Sequence, residues 1–92
     1  MNYTAKKPED ILPDNQDYFT DTNGNTIRKG TVAAAIANAR IIESDKSSIV
    51  EKEAALAAIK DLAPILVNFG FNQFINWKNP LIQKVFDQSV KE

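Results

Sequence analysis

The chain contains no cysteine and no histidine. Without cysteine there is no disulfide framework, no thiol nucleophile, no iron–sulfur cluster and no thiolate zinc site. Without histidine the usual general base near neutral pH is missing, together with imidazole metal ligands. Ser-His-Asp and Cys-His mechanisms are therefore excluded within this chain. Zinc and copper are poorly served. What the composition leaves open is a hard-cation site built from oxygen ligands, or chemistry run by carboxylates, lysine or tyrosine.

Charge of one sign is also lacking. Eleven Lys and Arg stand against 12 Asp and Glu, a formal charge of -1. Phosphate neutralisation needs clustered Lys and Arg, so there is no global nucleic-acid signature. Long apolar runs are missing as well. Among the longest are Val32–Ala37, counting alanines, and Ile65–Val67 after Pro64, far short of the ~20 residues that span a bilayer. The N-terminal stretch MNYTAKKPEDILPDNQD has no apolar signal-peptide core. The expectation is a cytoplasmic protein with no membrane segment.

What is present is enough for one folded unit. Ninety-two residues with 43% hydrophobic content argue for a single domain and against global disorder. A chain of this size buries roughly 60–65% of its unfolded surface, which allows one modest core. Residues 1–17 are polar, carry Pro8 and Pro13, and show neither helical nor strand periodicity. They are expected to form an extended or partly disordered arm, pinned if at all by Ile11 and Leu12, ahead of a single helical domain over 18–92.

Asn23-Gly24 lies between the β-favouring runs Tyr18-Phe19-Thr20 and Thr26-Ile27. Asn-Gly tolerates positive φ at both central turn positions, so the spacing predicts a type I′ hairpin or turn. A two-stranded hairpin is marginal alone and must lie against helices. A helix opens at Gly30-Thr31, with the Thr31 hydroxyl as cap, and runs to Glu43 with Val32, Ala35, Ile36, Ala39 and Ile42 as its stripe. Ser48 and Glu51 match a capping box for a second helix from Ile49 to Leu62, with Ile49, Leu56, Ile59 and Leu62 facing inward. Pro64 is expected to end or kink that helix and start a short one over 64–69, stopped by Gly70. Residues 71–78 suit one or two turns. Asn79-Pro80 opens a last helix from Leu81 to Val90, its stripe Ile82, Val85, Phe86 and Val90.

The expected fold is thus mostly α, three main helices after an irregular arm and an Asn-Gly hairpin or turn. If the hairpin packs, the class becomes α+β with a minimal two-stranded sheet. The expected core is Val32, Ile36, Ile42, Ile49, Leu56, Ile59, Leu62, Leu66, Phe69, Phe74, Trp77, Ile82, Val85 and Phe86.

Motifs that would carry chemistry fail on inspection. Asp21-Thr-Asn23-Gly-Asn25 resembles a calcium loop, but in neither register do glycine and a bidentate glutamate fall where an EF-hand needs them. In Lys29-Gly30-Thr31 the lysine precedes the glycine, the reverse of a phosphate-binding loop, and no βαβ context surrounds it. Glu51 and Glu53 point in different directions on a helix, so no acid–base pair emerges. No cofactor is expected, and an enzyme is the least favoured class.

Two weaker features remain. Arg28 and Lys29 precede a helix N-terminus whose first amides lack intrahelical partners, which with Thr31 makes a candidate site for an anion or an acidic partner. The aromatic group Phe69, Phe71, Phe74, Trp77 and Phe86 reads first as core, with Trp77, beside Lys78 and Asn79, as the member to reach a surface. Alanines at 33–35, 37, 39, 54, 55, 57 and 58 permit close helix packing, within the chain or across a symmetric homodimer. The favoured function is a non-enzymatic interaction or regulatory module with a protein partner or a second copy. A small-ligand or anion-binding domain using Arg28, Lys29, Thr31, Trp77 and Lys78 is the alternative. A helix-turn-helix over the first two helices is disfavoured, because Glu51 and Glu53 at the start of the second would repel phosphate.

Overall fold

A computed structural model describes residues 5–90. A single helical turn, α1 (Pro8–Ile11), is followed by a hairpin of β1 (Tyr18–Thr20) and β2 (Thr26–Arg28) and by α2 (Thr31–Glu43), α3 (Ile49–Asn68), α4 (Phe71–Phe74) and α5 (Pro80–Ser89). The mostly helical class with a minimal antiparallel sheet agrees with the sequence. No helix among the described residues is long and apolar enough to cross a membrane.

Residues 8–11 are helical where the sequence shows no periodicity. Pro8 supplies the first-position φ, and the Asp10 carboxylate accepts from the Lys7 amide at 3.0 Å. Residues 1–4 of the expected arm lie outside the described ones.

The hairpin forms, but not with a type I′ turn. Thr20 pairs with Thr26, so residues 21–25 make the connection. Within this connection only Gly24 takes a left-handed φ, 86°, whereas a type I′ turn needs two such residues in succession. The Asp21 carboxylate replaces the tight turn's geometry by accepting the Asn23 and Asn25 amides, each at 2.9 Å. The Asn25 side chain also donates to the Asn68 carbonyl at 2.9 Å, and Phe19 meets Phe69 edge-on at 5.8 Å, so the hairpin is fastened to the end of α3.

Helix α2 begins as expected, though its cap is Gly30 and not Thr31. Thr31 is the first helical residue, is buried, and donates its hydroxyl to the Arg28 carbonyl at 2.8 Å. The Ser48–Glu51 capping box is present at α3. Both of its hydrogen bonds form: the Ser48 amide donates to Glu51 at 2.7 Å and the Glu51 amide to the Ser48 hydroxyl at 3.1 Å.

Pro64 neither ends nor splits α3, which continues to Asn68. A proline inside a helix costs about 3 kcal/mol. Stopping at Ala63 would expose Leu66, 2% accessible, and unpack Val67 from the core. Burying a leucine is worth ~1.5–3 kcal/mol, so Leu66 and Val67 together offset a cost of that size. Pro64 and Lys60, whose carbonyl loses its partner, are both on the exposed side.

Helix α3 is the hub on which α2, α4, α5 and β2 pack. The core is Ala35, Ile59, Ala63, Leu66, Ile82, Val85 and Phe86. Four residues expected inside lie outside. Val32 is 46% exposed, Ile36 43%, Ile49 75% and Phe74 84%. The buried line of α2 runs through Thr31 and Ala35, and that of α3 through Ala55, Ile59, Ala63 and Leu66. Small residues at the contact let the two helices approach closely, and the larger neighbours are displaced to the flanks.

Candidate functional site

The displaced side chains of α2 line a groove. It encloses about 450 Å³ between α2 and residues 71–82. One wall is Val32, Ile36 and Ala39 of α2, and the other Phe71, Ile75 and Trp77. Glu43 and Lys78 are its only charged lining residues, one of each sign. At one end the Asn79 side chain donates to the Glu43 carboxylate at 3.1 Å, tying the C-terminus of α2 to the start of α5.

Local sequence sets the second wall. Gly70, at φ 105°, adopts the left-handed conformation that ends α3 and turns the chain into α4. Phe71 and Ile75, four apart, then share a face. Asn79 accepts the Leu81 and Ile82 amides at 2.9 and 3.2 Å, and Pro80 occupies the first position of α5, so the expected start of that helix is present. Between these anchors Trp77 is held by aromatic contact: Phe71 stacks on it at 5.8 Å, Phe86 lies at 5.5 Å, and Phe71 and Phe86 meet at 5.2 Å. The Trp77 amide donates to the Gln83 side chain. Its indole Nε1 is buried without a hydrogen-bond partner.

The residues singled out in sequence fall into two places. Trp77 and Lys78 line the groove. Arg28, Lys29 and Thr31 line a separate recess of about 350 Å³, together with Leu62 and Ile65. There the Lys29 ammonium donates to the Asp14 carbonyl at 3.1 Å and the Thr31 hydroxyl to the Arg28 carbonyl. Val32, Ile36 and Ile75 were not apparent as site residues. On a helical projection Val32 falls between Ala39 and Ile36, well inside the apolar arc of α2, so position on the arc did not mark it as a site residue.

Two carboxylates titrate away from their ordinary values, and neither lines the groove. At Asp21 desolvation pushes the pKa up, but hydrogen bonds from the Asn25 backbone and side chain and from the Asn23 and Gly24 backbone together bring it below the usual aspartate value. The Ser48 backbone and side chain lower that of Glu51. Among the described residues no cluster of three or more acidic side chains is placed to hold a metal ion. The groove thus offers apolar surface and an aromatic wall, with Glu43 and Lys78 as its charged lining residues. No protein family, characterised protein or solved structure matches this chain.

Proposed function

We propose that the chain is a non-enzymatic interaction module whose working surface is the groove between α2 and residues 71–82. The observation that carries this reading is the exposure of Val32, Ile36 and Ile75 around a preformed apolar cavity with Trp77 in its wall. A contiguous apolar patch around a cavity, unlike apolar side chains exposed singly, is what marks an interaction surface. The lining carries one acid and one base, which suits an apolar segment flanked by polar residues better than it suits a charged ligand. The recess at Arg28, Lys29 and Thr31 supports the anion-binding alternative less well, because Lys29 and Thr31 are engaged within the chain.

The sole tryptophan lies in the groove and reports on its contents. In dilute solution, anilinonaphthalene sulfonate should bind wild type and change Trp77 emission. Ile36→Glu, at a half-exposed position, should keep the helical circular dichroism and weaken dye binding at least ~10-fold, since a charge placed in an apolar contact costs more than 1.4 kcal/mol. Equal dye binding by the two proteins would refute the groove as a binding surface.

A further inference from the structure

We propose that Asn23 is a self-modification site: the Gly24 backbone nitrogen displaces its side-chain amide, and the product unfastens the hairpin loop from the end of α3.

The chemistry needs only water. The Gly24 nitrogen gives its proton to hydroxide and forms a bond to Cγ of Asn23. The Cγ–Nδ2 bond breaks, and that nitrogen leaves as ammonia with a proton returned by water. The resulting five-membered imide then takes up one water molecule. Opening at Cγ leaves aspartate. Opening at the backbone carbonyl leaves isoaspartate, whose main chain runs through Cβ and Cγ. No group is oxidised or reduced. A side chain on the following residue shields the attacking nitrogen, and glycine has none. Asn23 is the one asparagine of the chain that precedes a glycine, and Asn79 precedes Pro80, which has no N–H at all.

The structure leaves the reacting groups accessible. Asn23 and Gly24 are both exposed. The Asn23 backbone N–H donates to the Asp21 carboxylate, but its side-chain amide has no hydrogen-bond partner among the described residues. The side chains of Asn25, Asn38, Asn72 and Asn79 are all held as donors. A Cβ built on Gly24 would meet no atom within 4 Å, so the space beside this backbone is open. One bond restrains the attack: the Gly24 amide donates to the Asp21 carbonyl at 3.1 Å. It lies on an exposed loop, where water replaces it during local opening.

The consequence follows from what the loop holds. The Asp21 carboxylate accepts the Asn23 and Asn25 amides, each at 2.9 Å, and the Asn25 side chain at 3.3 Å. That same side chain donates to the Asn68 carbonyl at 2.9 Å. Conversion places a second carboxylate two residues from Asp21, and like charges at that range repel. Isoaspartate also lengthens the main chain between the two amides that Asp21 gathers. Both changes pull Asn25 away from Asp21 and so from Asn68, leaving the Phe19–Phe69 contact as the remaining clasp.

The experiment ages the intact chain at physiological temperature in mildly alkaline buffer, beside Asn23→Gln, whose longer side chain closes a six-membered ring far more slowly. Mass spectrometry of digests should place a gain of about one dalton, the exchange of NH2 for OH, at residue 23 of wild type. Conversion there should outrun that at Asn15 and Asn25 by at least ~10-fold, a barrier difference well above experimental scatter. Isoaspartyl methyltransferase should label the aged wild type and leave Asn23→Gln unlabelled. In the aged species, separated by its extra negative charge, the Asn25 amide should lose its hydrogen-exchange protection while Ile59 and Ala63 keep theirs. A wild type whose Asn23 converts no faster than Asn15 overturns the site. Conversion that leaves Asn25 protected overturns the release of the loop.

Discussion

Helix α2 has two apolar neighbours and treats them differently. Toward α3 it presents Ala35, fully buried, with Thr31 one turn before it. Toward residues 71–82 it presents Val32 and Ile36, both more than two-fifths exposed, across a cavity. The closed face is made of small side chains and the open face of large ones. Hydrophobicity alone would reverse that assignment. Packing decides it, because close approach of two backbones requires little between them, and the residues too large for the seam are carried to its edge.

The largest effect should come from breaking the aromatic anchor shared by the two faces. Phe86 is completely buried and touches both Phe71 and Trp77. Phe86→Ala should destabilise by about 3–5 kcal/mol in a denaturant titration, from lost transfer energy and the cavity left behind. Because Phe71 and Trp77 then lose their common support, Trp77 emission should shift in the folded protein as well. An unchanged emission would mean that the groove wall holds its shape without the core beneath it.

The next substitutions test whether size governs the two faces. Ala35→Leu adds bulk to the closed seam and should cost ~1–3 kcal/mol by overpacking. Ile36→Ala removes more apolar surface, yet Ile36 is 43% exposed and faces a cavity, so its cost should stay below about 1 kcal/mol. If urea midpoints put Ile36→Ala below Ala35→Leu, the open face is more tightly packed than its cavity implies.

The same contrast explains what was legible in sequence. Signals that act through the backbone were readable one residue at a time: the Ser48–Glu51 box, the Asn79-Pro80 start and the Gly70 stop each satisfy or release specific amides and carbonyls. Signals that depend on a neighbour were not. Pro64 looks like a breaker until the burial of Leu66 beyond it is counted. Asn23-Gly24 looks like a type I′ turn until Asp21 supplies hydrogen bonds that favour a longer connection. Of the groove lining, Trp77 and Lys78 stood out in the sequence through polar neighbours, whereas Val32 and Ile36 were assigned to the core because periodicity reports an apolar arc and not which part of it a neighbouring element covers.

The smallest expected effect comes from acid, and it separates the seam from the ends of α3. Ala35 and Ala63 carry no titratable group, so the core they share has no pH dependence of its own through them. The ends of α3 are held differently. Glu51 closes the capping box at the start, while Asp21 orders the loop from which Asn25 reaches the Asn68 carbonyl at the finish. Both carboxylates titrate below their ordinary values. A depressed folded pKa gives stability that is present above the unfolded value and is lost as pH falls through the folded one. Between neutral pH and about 5 nothing should change, because both groups stay ionised in the folded and unfolded chain alike. As pH falls below about 4, protection from hydrogen exchange relative to the intrinsic rate should drop at the Asn23, Asn25 and Ser48 amides, which donate to these carboxylates. Amides at Ile59 and Ala63 in the middle of α3 should keep their protection relative to the intrinsic rate. Asp21→Asn should abolish the acid response at residues 23 and 25 and leave that of Ser48 intact. Uniform loss of protection along α3 would instead show that its ends and its alanine seam open as one unit.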